Sequence, residues 1–213
     1  RRLGPHPEGP RPPHAGDAAM NIAVARLAAA SSLLASLALG VACARDTEPP
    51  PATIGGDFTL IDQDSTAFHL AALRGKVVLV FFGYSQCPDV CPTTLSKLSS
   101  VARRLGDQRS GMKVVYVSVD PERDTPAVLK ADLQHFDLDA VGVTGTRAEI
   151  DRVVRMYGAK YEIVPTPESA ARYTVSHSTT LYVLDKQGKV VEQFPYEATA
   201  GEIADAVRAL LVP

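Results

Sequence analysis

After Lys76 the chain reads Val-Val-Leu-Val-Phe-Phe to residue 82 with no polar interruption. A short unbroken apolar run of this kind predicts a strand covered on both faces. Upstream, Phe58–Ile61 and Ala67–Leu70 flank the polar stretch Asp62–Ser65, which is the pattern of a hairpin. Gly83–Pro92 reads as a loop, and Leu95, Leu98, Ala102 and Leu105 follow it at helical spacing. Met112–Val119 is a second apolar strand, Thr125-Pro126 opens a helix with a cap and a first-turn proline, and Ala140–Thr144 is a third strand. Thr146 and Glu149 make a capping-box pair ahead of Ile150, Val153, Val154 and Tyr157, with Gly158 as the stop. Thr179–Leu184 and Val190–Phe194 bracket Asp185–Gly188 as a second hairpin. Thr199 with Glu202 then caps a last helix carrying Ile203, Ala206, Val207 and Leu210.

Strands alternating with helices imply parallel neighbours joined by crossovers, while the hairpins add antiparallel ones. The fold class expected is therefore α/β, a mixed central sheet covered by helices with an N-terminal β-hairpin. A strand that enters a helix through a cysteine-bearing turn, with a hairpin late in the chain, matches a thioredoxin-like arrangement.

The first part of the chain has a different pattern. Residues 1–19 contain five prolines and no apolar periodicity, and are expected to be a disordered or untranslated extension. From Met20, a short stretch with Arg26 leads into the 15-residue apolar run Leu27–Val41 and then Ala42-Cys43. A charged start, an apolar middle and small residues before a cut predict a signal peptide over 20–42. The run is shorter than the roughly 20 residues a spanning helix needs. Cys43 stands where a bacterial lipoprotein carries its lipid, and residues 43–53, with Pro49-Pro50-Pro51, read as the tether to a domain over 54–213. Export would place the domain outside the cytoplasm, in an oxidising compartment.

Composition adds exclusions. The 213 residues are 46% hydrophobic and 22% charged, which excludes a multispan membrane protein. The arginines at 1, 2, 11 and 26 against Glu8 and Asp17 make residues 1–42 +2, so the rest of the chain carries −4 of the formal −2. A domain of that charge is not a nucleic-acid binder.

Cys87 and Cys91 lie in Gly83-Tyr-Ser-Gln-Cys-Pro-Asp-Val-Cys-Pro-Thr-Thr-Leu95. Four apart on a first helical turn, they are expected to share one face, where they can converge on one ion or close a disulfide. Backbone N–H groups at a helix start should lower the pKa of at least one thiol, making it both nucleophile and soft ligand. A purely structural disulfide closing so small a loop restrains the unfolded chain little. His177, just before the late strand, would sit beside the cysteine turn in a thioredoxin-like layout. Two thiolates select Cu(I), and an added imidazole also suits Cu(II). Asp120, in Asp120-Pro-Glu-Arg-Asp124 at the C-terminal end of a strand, and Asp89, between the cysteines, are candidate supporting residues, Asp89 being also a candidate helix cap. His69 and His135 read as structural, His6 and His14 fall in the leading segment, and Met20, Met112 and Met156 are too scattered for a methionine copper box.

These residues resemble the SCO/SenC copper chaperones of cytochrome c oxidase assembly over about Ile54 to Leu211. The resemblance rests on three blocks: Phe81-Phe-Gly-Tyr-Ser-Gln-Cys-Pro-Asp-Val-Cys-Pro92, Val117-Ser-Val-Asp-Pro-Glu-Arg-Asp-Thr-Pro126 and Val175-Ser-His-Ser-Thr-Thr-Leu-Tyr-Val-Leu-Asp185. Ser176 departs from the Asp that family members often carry before the histidine, which the resemblance reads as weaker orientation of the imidazole. The resemblance implies a tethered thioredoxin-like domain on the outer, periplasmic face of a bacterial cell membrane. It implies one copper per domain, Cu(I) or Cu(II), on Cys87, Cys91 and His177, loaded by a periplasmic copper donor. It also implies delivery of that copper to the dinuclear centre of cytochrome c oxidase subunit II, or reduction of the cysteines there. A non-enzymatic metal carrier is the first expectation. The alternatives are a thiol-disulfide reductase using the same dithiol and, behind it, a peroxidase of the wider superfamily.

Overall fold

The computed structural model describes residues 54–212. The expected signal peptide, tether and lipid attachment at Cys43 lie outside these described residues, as do His6, His14 and Met20.

Nine strands and four helices follow in the order β1 (Thr59–Asp62), β2 (Ala67–His69), β3 (Val77–Gly83), α1 (Val90–Leu105), β4 (Met112–Ser118), α2 (Pro126–Leu133), β5 (Ala140–Thr144), α3 (Arg147–Met156), β6 (Tyr161–Pro165), β7 (Tyr173–His177), β8 (Leu181–Leu184), β9 (Val190–Phe194) and α4 (Ala200–Leu211). Seven strands form one sheet in the order β2-β1-β5-β4-β3-β8-β9. The apolar run after Lys76 is its central strand, and every residue of β3 is buried. β3 pairs in parallel with β4 from Val77↔Met112 to Gly83↔Ser118, with α1 in the crossover, and β4 pairs in parallel with β5. The β1–β2 hairpin joins the sheet antiparallel to β5, and the β8–β9 hairpin joins it antiparallel to β3. This is the expected mixed α/β architecture.

Successive side chains of a strand point to opposite faces. Phe81 accordingly meets Tyr116 and His177, while Phe82 meets Tyr157 and Tyr182. Helices α1 and α4 pack against each other. α3 and α4 both begin with the full capping box read from Thr146/Glu149 and Thr199/Glu202. Thr125 caps α2 by accepting from the Val128 amide, with Pro126 at its first position.

One element was not anticipated. β6 and β7 form a separate antiparallel two-stranded sheet, register Tyr161↔His177 through Pro165↔Tyr173. Its side chains are largely exposed, Val175 being the buried one, so no apolar run announces it. His177 is thus the last residue of a strand, where a loop was expected.

Candidate metal centre

The site forms where β3 ends. Gly83 closes the strand, a turn follows, and α1 starts at Val90 with Asp89 as N-cap. Cys91 is therefore the second residue of α1, while Cys87 precedes the cap. The two cysteines do not lie on one face of a helix, because the helix begins only at residue 90. Cys87 instead faces the helix start: its Sγ accepts the Cys91 amide at 3.4 Å. The side chain of Asp89 makes no cap hydrogen bond to the backbone, and its carboxylate accepts from the Thr93 hydroxyl at 3.5 Å. The sulfur of Cys87 does what a capping oxygen would. Pro92, third in the helix, costs nothing there because the first-turn N–H groups have no intrahelical partner.

Both cysteines are reduced, Cys91 buried and Cys87 half-buried. The pair is electrostatically unequal. A hydrogen bond from Cys91 is the largest effect lowering the Cys87 pKa, joined by the amides of Asp89 and Cys91, against partial desolvation. The Cys91 thiol moves the other way, held protonated first by its bond to Cys87 and then by burial. One proton shared by two sulfurs is kept on the buried one.

His177 arrives from β7. Its Nε2 lies 3.4 Å from Cys91 Sγ, and its Nδ1 lies 3.0 Å from the carbonyl oxygen of Ser178. A carbonyl can only accept, so Nδ1 carries the proton and Nε2 offers its lone pair to the sulfurs. The ring is flanked edge-on by Phe81 and Tyr84, centroids 6.2 and 5.8 Å away. Orientation of the imidazole thus comes from backbone and aromatic contacts, which bears on the expectation attached to Ser176: that side chain is exposed. The donor atoms of Cys87, Cys91 and His177 all lie within 4.8 Å of one another. Two sulfurs and one imidazole in that space form a soft donor set that one copper ion fits.

Asp120 does not touch these three side chains. It is fully buried, accepts from Arg123 Nε and takes the Tyr173 hydroxyl at 2.8 Å. Arg123 was not singled out, yet it joins both halves of the site. Its guanidinium lies 3.7 Å over the Tyr173 ring, and its Nη1 donates to Gln86 Oε1, Ala171 O and Tyr173 O. Asp124 accepts from the Ser85 amide at 3.0 Å and hydroxyl at 2.5 Å, and from the Ser118 hydroxyl at 2.6 Å. Burial raises its pKa against those three bonds. Tyr84 meets Thr174 Oγ1 at 2.9 Å. The readable signal for this group was its position after a central strand, in Asp120–Asp124. His69 pairs with Thr59, and His135 lies near Ser96, Ser99 and Arg103, both away from the cysteines.

Comparison with known proteins gives a consistent picture. The SCO1/SenC family model matches residues 46–212. A SCO2-like protein of Rickettsia felis is 35% identical over 155 residues, 73% of this chain and 76% of that protein. Bradyrhizobium japonicum ScoI, solved with copper bound, superposes with a TM-score of 0.68 at 40% identity, covering 74% of this chain and 99% of that one. BsSco, described as a member of the Sco family of cytochrome c oxidase assembly proteins with a disulfide switch, gives 0.59 at 25% identity over 76% and 95%.

Proposed function

The chain belongs to the SCO1/SenC family, and from that premise we propose that it binds one copper ion through Cys87, Cys91 and His177 for cytochrome c oxidase assembly. The observation that carries this reading is the convergence of two sulfurs and one imidazole, from two separate parts of the chain, within 4.8 Å. The copper is cargo. Transfer proceeds by ligand exchange, with soft ligands of the acceptor replacing the cysteines one at a time. The acceptor in this reading is the dinuclear copper centre of subunit II, and a periplasmic donor supplies the ion. The reading also has the domain exported by the signal over 20–42 and held at the outer face of the cytoplasmic membrane through Cys43. No helix among the described residues is long and apolar enough to cross a membrane.

The test is a titration of the reduced full chain with Cu(I) and with Cu(II). One ion per chain is expected, lost in Cys87→Ser and in Cys91→Ser. Absence of binding in both oxidation states overturns the reading.

The unequal cysteines favour a second use of the same site. Cys87 as thiolate attacks a disulfide in the target, forming a mixed disulfide and releasing one target thiolate. Cys91 then attacks the Cys87 sulfur, its proton passing to the second target thiolate. The target gains two electrons and the chain ends as the Cys87–Cys91 disulfide, to be re-reduced by a dithiol donor. His177 separates the two uses, because exchange needs only the cysteines.

A further inference from the structure

Tyr116 projects from the middle of β4 into the interior with no exposed surface, and its hydroxyl has no hydrogen-bond partner. Buried hydroxyls are nearly always paired, so an orphan calls for a reason. The surroundings supply one. At Gly83, the space a Cβ would fill lies 2.8 Å from Cys91 Sγ and 2.9 Å from Tyr116 Oη. The sulfur and the hydroxyl therefore converge on one spot, approaching from α1 and from β4, and the missing side chain of Gly83 is what leaves them room. A phenol is a donor at neutral pH. Ligation of copper requires the sulfur as thiolate, a strong acceptor.

We propose that Tyr116 is a positioning residue for the copper site, its hydroxyl donating to the Cys91 sulfur when that sulfur ligates the metal. The inference rests on the Cys87, Cys91 and His177 reading. A copper-bound sulfur is a thiolate and accepts more strongly than a thiol, so the bond favours the loaded state. It also draws electron density from the sulfur, and hydrogen bonds around a copper-bound thiolate tune the properties of the ion.

Tyr116→Phe tests this in the full chain. Loss of a charge-assisted hydrogen bond should raise the copper dissociation constant by about tenfold. The sulfur-to-Cu(II) charge-transfer band should shift to lower energy, because an unpaired thiolate gives up its electron more readily. The melting temperature of the metal-free variant should stay level or rise, since an unsatisfied hydroxyl is removed. Weaker copper binding with undiminished metal-free stability is the combination a packing role would not produce. Wild-type affinity and an unmoved band in Tyr116→Phe overturn the inference alone. A wild-type chain that binds no copper overturns the site reading and the inference with it.

Discussion

The Nε2 of His177 lies 3.4 Å from the Sγ of Cys91, across 86 positions of chain. Two different devices hold the ends of that distance. Cys91 is fixed by the start of α1 on the central sheet, whereas His177 ends a small exposed hairpin outside that sheet. The hairpin is tied down by Thr174, which meets the Tyr84 hydroxyl, and by Tyr173, whose hydroxyl donates to Asp120. A site assembled from a rigid half and an appended half can keep one function when the other half is altered.

His177→Ala is therefore expected to separate the two chemistries. Removal of one of three donors should weaken copper binding by at least about tenfold, as loss of even an outer-sphere partner does. The dithiol should still close to a disulfide, because both sulfurs remain on the α1 side. Copper titration and counting of accessible thiols before and after mild oxidation measure the two effects. Unchanged copper affinity would remove the histidine from the site.

The inequality of the cysteines predicts selective alkylation. An ordinary thiol, with a pKa of about 8.5, loses roughly tenfold in thiolate for each pH unit below it. Cys87, whose pKa is lowered, should react with iodoacetamide at a nearly constant rate from about pH 8 to about pH 6. Cys91, buried and held protonated, should stay unmodified until the chain unfolds. The sign for stability follows: the Cys87 thiolate contributes fully above the ordinary thiol value, and the contribution fades as pH falls through the lowered folded one. Peptide mapping after quenching reads the site of labelling, and earlier labelling of Cys91 contradicts the assignment.

The sheet was legible because its central strands are buried on both faces and so consist of unbroken apolar residues, and because the two late helices carry complete capping boxes. The β6–β7 hairpin was not, since a strand pair held by backbone bonds, with Val175 its one buried side chain, needs no long hydrophobic pattern. Its trace is the alternation Tyr173, Val175, His177 against Thr174 and Ser176. In the site, the types and spacing of Cys87 and Cys91 were enough to single out two of the three side chains that the structure brings together. The residues that support them, Arg123, Asp124, Tyr84 and Tyr116, act through contacts between elements distant in sequence, which spacing does not encode. The placement of Cys87 before the helix rather than on it depends on where the backbone turns, and Pro92 permits several starting points.

Gly83→Ala should disturb the site from within the sheet. The added methyl would meet Cys91 Sγ and Tyr116 Cε2 at 2.8 Å and Tyr116 Oη at 2.9 Å. Neither side chain can swing aside, because both are buried. Overpacking of this kind costs about 1–3 kcal/mol, read as a lower denaturation midpoint at unchanged m-value. Copper affinity should fall in parallel as Cys91 is displaced. Wild-type stability would show that the strand end yields more easily than its packing indicates.

Arg123→Lys should behave as a severe substitution despite keeping the charge. The guanidinium lies over Tyr173, gives Nε to the fully buried Asp120 and spreads Nη1 across Gln86, Ala171 and Tyr173. An ammonium has neither the plane to stack nor the fork to reach these acceptors together. Gln86 adjoins Cys87 and Tyr173 shares β7 with His177, so loosening Arg123 separates the cysteine turn from the histidine strand. Breaking a buried ion pair costs about 3–5 kcal/mol when the other charge stays behind, so Arg123→Ala should be worse than Arg123→Lys. Arg123→Ala with Asp120→Ala should be destabilised by less than the sum of the single changes, because no charge is then stranded. Copper affinity should drop in every variant while oxidation of the dithiol persists. Additive stabilities in that cycle, or full copper affinity in Arg123→Ala, would show that the two halves of the site are held together by other contacts.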